Sequence, residues 1–142
     1  IELLKFDSTK HHIIKYSKDE LYDNVDFIDS LYPYGGEYAL PDFEISSLEI
    51  IIDGKQIIIP EKAYSNFYDP NILGSHGFMK EIEAFSSMDG QFIYIYIYGG
   101  QAASTYFTKL IFNKEKLLFF KRSYFDHIYP CIIINTLLYY PI

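Results

Sequence analysis

The residues of this chain with the clearest chemical consequence are carboxylates, and they are concentrated in one segment. Between Tyr16 and Glu44 the sequence contains eight Asp or Glu side chains and one lysine, a formal charge of −7, while the acids and bases of all other residues cancel. A charge confined to one surface steers an oppositely charged partner toward that surface. This segment therefore predicts recognition of a basic partner.

The other residue types that do chemistry show no spacing typical of a reaction or a metal site. The histidines are His11, His12, His76 and His127, and neither an H-x-x-x-H pair nor a Cys/His cluster is present. A Gly-x-Ser-x-Gly nucleophile motif is missing as well. We therefore predict no catalytic residue, no metal ligand and no cofactor.

The charge balance also bears on nucleic acid and on catalysis by cysteine. The pI is near 4.9 and Arg122 is the only arginine, which argues against direct nucleic-acid binding, since phosphate contacts need Lys and Arg. The single cysteine, Cys131, lies in an apolar run, which is typical of a buried thiol with a raised pKa. The apolar stretch 128–142 is too short to span a bilayer, which takes about 20 apolar residues.

The acidic segment has the pattern of an amphipathic helix. Residues 17–20, Ser-Lys-Asp-Glu, match a capping box, and Leu21, Val25, Ile28 and Leu31 follow at helical spacing as one apolar stripe. Pro33 is expected to end the helix. The predicted solvent face carries the carboxylates Asp19, Glu20, Asp23, Asp26 and Asp29. It serves either as a solvated surface that keeps the chain soluble or as a docking face for a basic protein such as a nuclease.

The remainder of the chain predicts antiparallel strands. Asp53-Gly54 between two isoleucine-rich runs is a strong hairpin signal, and a second hairpin is expected between 78–85 and 91–98. Further strands are expected at 105–112 and 117–124. The predicted fold class is therefore α+β: mostly an antiparallel β meander with one N-terminal acidic amphipathic helix packed against it, in a single globular domain over residues 1–142.

The run from Phe92 to Tyr98 alternates aromatic and aliphatic side chains. Because successive side chains of a strand point to opposite faces, Ile93, Ile95 and Ile97 are expected in the core. Tyr94, Tyr96 and Tyr98 are expected together on the other face. That face is either a structural ladder of cross-strand aromatic pairs or a recognition surface.

Two stretches resemble a known class of proteins. These are residues 48–60, with their Asp53-Gly54 hairpin, and the segment from Gly99-Gly100 through Thr105-Tyr106 to Lys121-Arg122. Together they resemble the small immunity proteins of bacterial polymorphic and contact-dependent growth-inhibition toxin systems. The similarity covers about half of the chain and transfers no catalytic residue. It implies a cytoplasmic, non-enzymatic protein that binds one cognate toxin and blocks it.

A second function stays open at this stage. The first residue is Ile and not Met, so we expect a processed or trimmed chain. The alternative is a periplasmic or surface-anchored β-rich domain that binds a glycan or small molecule through its tyrosines. The partner-binding residues predicted for the immunity function are Asp19, Glu20, Asp23, Asp26, Asp29, Tyr94, Tyr96 and Tyr98.

Overall fold

The structure, a computed structural model, describes eight stretches of the chain: residues 1–15, 24–36, 39–72, 82–100, 104–114, 118–125, 133–134 and 140–141. Twelve strands occur in these stretches. In chain order they are β1 (Glu2–Lys5), β2 (Ile13–Ile14), β3 (Phe27–Ile28), β4 (Phe43–Ser47), β5 (Glu49–Ile52), β6 (Lys55–Ile58), β7 (Glu83–Ser86), β8 (Phe92–Gly99), β9 (Tyr106–Asn113), β10 (Leu118–Phe125), β11 (Ile133–Ile134) and β12 (Tyr140–Pro141). Two short 3₁₀ helices, Ser8–Lys10 and Glu61–Ala63, join them.

The chain divides into two compact units. The first comprises Ile1–Pro70 and Gly100–Ser104, and the second comprises Asn71–Gly99 and Thr105–Ile142. A single domain over residues 1–142 stays a prediction.

The first unit is built from three two-stranded antiparallel sheets. β1 pairs with β4, β2 with β3, and β5 with β6. The β5–β6 hairpin confirms the turn predicted at Asp53-Gly54, where both residues have positive φ, 51° and 77°. Positive φ at both central residues is the requirement of a type I′ turn, and glycine meets it without steric cost.

The core of the first unit draws on distant parts of the sequence. Val25, Ile28 and Tyr68 form one buried cluster, and Phe6 and Ile13 pack against it. Ile45, Leu48, Ile59, Tyr64 and Phe67 are buried as well. Burial of apolar area at about 25 cal/mol per Å² is what stabilises such short strands, because two-stranded sheets are marginal by themselves.

The predicted N-terminal amphipathic helix is wrong, and with it the α+β class. The described part of the chain contains no α-helix, and its strand pairs are antiparallel. The second half of the predicted helix contains β3, which pairs with β2 through Ile13 opposite Ile28 and Ile14 opposite Phe27. Residues 16–23, which carry the predicted capping box, lie outside the described residues.

A tight turn replaces the last turn of that helix. Asp29 and Ser30 have φ of 51° and 66°, and the backbones of Ile28 and Leu31 exchange two hydrogen bonds of 3.0 and 2.9 Å. The apolar stripe is broken as a result: Ile28 is 1% exposed and Leu31 is 44% exposed. Val25, Ile28 and Leu31 are therefore spaced as on a helix by coincidence: the first two are buried at and just before β3, and Leu31 is exposed after the turn.

The second unit contains a six-stranded antiparallel sheet. β7, β8, β9 and β10 lie side by side in chain order, and β11 and β12 both pair with β10. β8 and β9 pair along eight residues each, from Phe92 opposite Asn113 to Gly99 opposite Tyr106. The predicted hairpin before β8 and the meander of successive strands are therefore confirmed. β8 and β9 bury one face of this sheet and form the platform for the tyrosines.

Candidate functional site: an aromatic face on the second unit

The period-2 alternation of β8 separates its two kinds of side chain. Ile95 and Ile97 are 2% and 0% exposed. Directly opposite them on β9, Leu110 and Thr108 are fully buried. The aromatic residues of β8 are half-buried, and so is Ile93, which was expected in the core with Ile95 and Ile97. A tightly packed aliphatic layer therefore holds the strand that presents the rings.

Among the residues whose side chains the structure describes, six aromatic residues share the other side of the sheet, which we call the aromatic face. They are Phe85 of β7, Phe92, Tyr94, Tyr96 and Tyr98 of β8, and Phe107 of β9. Phe85 is directly opposite Tyr94, and Phe107 is directly opposite Tyr98, so each pair shares a face.

The rings of the aromatic face contact one another along and across the strands. Phe107 stacks on both Tyr96 and Tyr98, with centroid distances of 6.1 and 5.4 Å and interplanar angles of 9° and 18°. Phe85 meets Tyr96 edge to face at 5.9 Å. Such pairs each contribute about 0.5–1.5 kcal/mol beyond area burial, so the rings are held in fixed orientations.

One cation lies among these rings. Lys109 is directly opposite Tyr96 on β9, and its Nζ is 4.0 Å from the ring centroid of Tyr94 and 5.3 Å from that of Tyr96. Both distances are within cation–π range. On the other side of Tyr96, Glu83 of β7 is the register partner. Burial raises the pKa of the Tyr98 hydroxyl, and the charge of Glu83 adds to this, so Tyr98 stays a neutral hydrogen-bonding group.

The predicted acidic residues do not form one helical face. Asp19, Glu20 and Asp23 lie outside the described residues. Asp26 precedes β3, and its backbone N–H donates to the carbonyl of Ile14 at 3.0 Å. Both Asp26 and Asp29 belong to the first unit, while Tyr94, Tyr96 and Tyr98 belong to the second.

Asp29 is committed to contacts within the first unit. Its Oδ2 is 2.6 Å from Nδ1 of His11, and its Oδ1 accepts the backbone N–H of His12 at 2.8 Å. The Nε2 of the same imidazole is 3.0 Å from Oε2 of Glu44. His11 therefore links the β3 turn to β4, and we call His11, Asp29 and Glu44 the histidine clamp.

The environment of the histidine clamp explains its geometry. The His11 side chain is 15% exposed and stacks on Phe6, with centroids 4.7 Å apart and rings inclined by 13°. Burial works against the charge of Asp29, but the hydrogen bonds from His11 and from the His12 backbone outweigh it and lower the pKa of Asp29. Nearby, burial and the charges of Asp29 and Glu44 raise the pKa of Tyr68.

Both ring nitrogens of His11 are engaged by carboxylate oxygens of the first unit, Nδ1 by Asp29 and Nε2 by Glu44. The histidine clamp therefore acts as a structural tie. Within the described ranges, no group of three or more His, Cys, Asp and Glu side chains is arranged to hold a metal ion.

Sequence patterns did not predict the contacts of His11, Glu44 or Lys109. His11 and Asp29 are 18 residues apart, and their contact depends on the pairing of β2 with β3. For Lys109 the sequence does contain a signal. When a strand pairs with a tyrosine-rich neighbour, a lysine at an alternate position lies on the same face of the sheet as the tyrosines if the register matches.

Comparison of the chain with protein-family models, curated proteins and solved structures found no match. Nor does any helix in the described part of the chain have the length and apolar character needed to cross a membrane.

Proposed function

We propose that this chain is a non-enzymatic binding protein that neutralises a cognate bacterial toxin. It would contact the toxin mainly through the aromatic face. The observation that carries the proposal is the set of ordered, half-buried rings on a sheet whose other face is close-packed. Aromatic side chains on a rigid support lose little conformational entropy on binding and dominate binding energy in protein interfaces. The rings of the aromatic face meet this condition.

The charge distribution supports a basic partner. The formal charge of −7 in residues 16–44 attracts a positively charged surface whether or not those residues form a helix, because electrostatic steering of a partner depends on net local charge. The resemblance of residues 48–60 and 99–122 to toxin immunity proteins points in the same direction. We accordingly place its action in the cytoplasm, where an immunity protein meets an incoming toxin.

The test compares a variant of the aromatic face with a matched control. Tyr94→Thr/Tyr96→Thr removes two rings while keeping β-branched side chains suited to a strand. Ile51→Thr/Ile58→Thr makes the same kind of change at two positions of the first unit, where the isoleucines are 76% and 63% exposed. Circular dichroism first verifies that both variants fold.

Each protein is then used to capture partners from the secreted and cellular proteins of the source cells. A captured protein is expressed in a susceptible strain with and without this chain. We expect it to arrest growth, and we expect wild type and the isoleucine variant to restore growth while the tyrosine variant does not. Rescue by the tyrosine variant would refute the contact surface, and a captured partner without toxicity would refute the immunity function.

A glycan-binding function would give a different pattern. Wild type would then bind immobilised glycans, lose this binding in the tyrosine variant, and capture no toxic protein.

A further inference from the structure

Lys109 is the feature of the aromatic face that the proposed function does not yet use. Lys109 is half-buried, and its ammonium group lies over the rings of Tyr94 and Tyr96, 4.0 and 5.3 Å from their centroids. A lysine side chain loses rotamer entropy when its ammonium group is fixed. Here the two rings already fix it before any partner arrives.

The described residues offer Lys109 no carboxylate. The one acidic residue in register on this face, Glu83, is opposite Tyr96 on β7 and is thus two strands from Lys109. Adjacent strands are about 4.8 Å apart, so about 10 Å separate the two backbones. No described carboxylate forms an ion pair with Lys109.

We propose that Lys109 recognises a carboxylate of the protein partner, an Asp or Glu side chain flanked by apolar groups that pack on the tyrosine rings. The charge complementarity is local: the acidic segment of the first unit attracts a basic surface from a distance, whereas Lys109 selects one acidic side chain at the contact. The inference rests on the proposed function only in taking the aromatic face as the binding surface.

The experiment uses random dodecapeptides displayed on phage, selected against the full-length protein. We expect enriched peptides to carry Asp or Glu next to aromatic or aliphatic residues. Lys109→Met keeps the length of the side chain and removes its charge, and it should weaken binding of the enriched peptides about tenfold. Lys109→Arg should retain most of the affinity.

The matched control is Lys114→Met, the same substitution just after β9, where the backbone N–H donates to the carbonyl of Gln91. It should leave peptide affinity unchanged, because Lys114 contacts none of the rings that the structure describes. In a selected peptide, changing the acidic residue to its amide should weaken binding to wild type about as much as Lys109→Met weakens binding of the unchanged peptide. The same change in the peptide should not weaken binding to the Lys109→Met variant any further.

Three results would overturn the inference: selection of no peptide, selection of peptides without a carboxylate, or equal binding by wild type and Lys109→Met. Failure of the toxin assignment looks different. Acidic peptides would then be selected through Lys109 while no captured protein is neutralised. Loss of the tyrosines without effect on peptide binding would remove the aromatic face as the surface for both proposals.

Discussion

Replacement of Asp29 by Asn tests whether this residue stabilises the fold or faces a partner. Asn tolerates the left-handed backbone conformation that Asp29 adopts at φ 51°, so the turn itself is kept. The amide oxygen can still accept the N–H of His12. What is lost is the ionised oxygen 2.6 Å from Nδ1 of His11.

The magnitude follows from the strength and the exposure of that hydrogen bond. A hydrogen bond to a charged group contributes about 1.5–3 kcal/mol when it is well shielded from water. The Asp29 side chain is 50% exposed, so solvent screening reduces the expected loss to about 1 kcal/mol. With a urea slope of about 1–3 kcal/mol per M, the unfolding midpoint should fall by roughly 0.3–1 M.

The loss should depend on pH in a defined direction. Because the fold lowers the pKa of Asp29, the unfolded chain binds more protons than the folded chain as the pH falls below the unfolded value. The stabilisation is therefore complete above that value and disappears as the pH falls through the folded pKa. Wild type and Asp29→Asn should differ most at pH 7 and converge in acid.

The measurement is urea unfolding followed by circular dichroism at pH 7 and at acidic pH, with hydrogen exchange of the His12 amide as a local readout. Asp53→Asn is the matched control, since Asp53 has the same φ of 51° at the same place in a two-residue turn and forms no described side-chain hydrogen bond. It should change stability by less than about 0.5 kcal/mol, because Asn-Gly suits this turn. Equal stability of the two variants, or a difference that persists in acid, would refute the structural role of Asp29.

Three further predictions concern backbone space, a half-buried carboxylate and the core. Gly100→Ala should lower the free energy of unfolding by more than about 3 kcal/mol, since an added Cβ would lie 2.1 Å from a backbone oxygen. Gly90 has a similar φ, but a Cβ there would meet open space, so Gly90→Ala should lower the free energy of unfolding by about 1 kcal/mol. Chemical denaturation measures both values. Asp69→Asn should leave the stability at pH 7 equal or higher. Burial raises the pKa of Asp69 despite two backbone hydrogen bonds, so wild type loses stability as the pH rises above the pKa of Asp69 in the unfolded chain. Melting curves that show wild type gaining stability over this pH range would contradict the prediction. Leu110 is fully buried, so Leu110→Ala should lower the free energy of unfolding by about 2–5 kcal/mol, and Ile111→Ala at a half-buried position should lower it clearly less. Equal shifts of the melting temperature would show that the two faces of β9 do not differ in packing.

The two tight turns of the first unit show how far local sequence reaches. Asp53-Gly54 predicts a hairpin by itself, because glycine readily adopts the positive φ that such a turn needs. Asp29-Ser30 adopts a similar pair of positive φ angles without a glycine, so the local signal was missing and the surrounding apolar spacing predicted a helix. At this turn the nonlocal contacts of Ile28, Val25 and the histidine clamp outweigh local preference.

The aromatic face divides in the same way. Alternation along β8 by itself predicts that Tyr94, Tyr96 and Tyr98 share one side, because the side-chain period of a strand is two. Which residues join them depends on strand register. Phe107 and Lys109 reach the tyrosines only because β9 pairs with β8 at that alignment.

Local sequence is enough to predict the antiparallel strand character, the hairpin at Asp53-Gly54, the hairpin before β8, the meander up to β10 and the concentration of net negative charge in residues 16–44. These follow from composition, turn chemistry and short periods, all of which act over a few residues. Long-range packing determines that residues 27–31 form a strand and turn, that Asp29 contacts His11, and that Lys109 lies over two tyrosine rings. Each of these depends on contacts between residues far apart in the chain, whose free energies exceed the few tenths of a kcal/mol per residue by which local preferences differ.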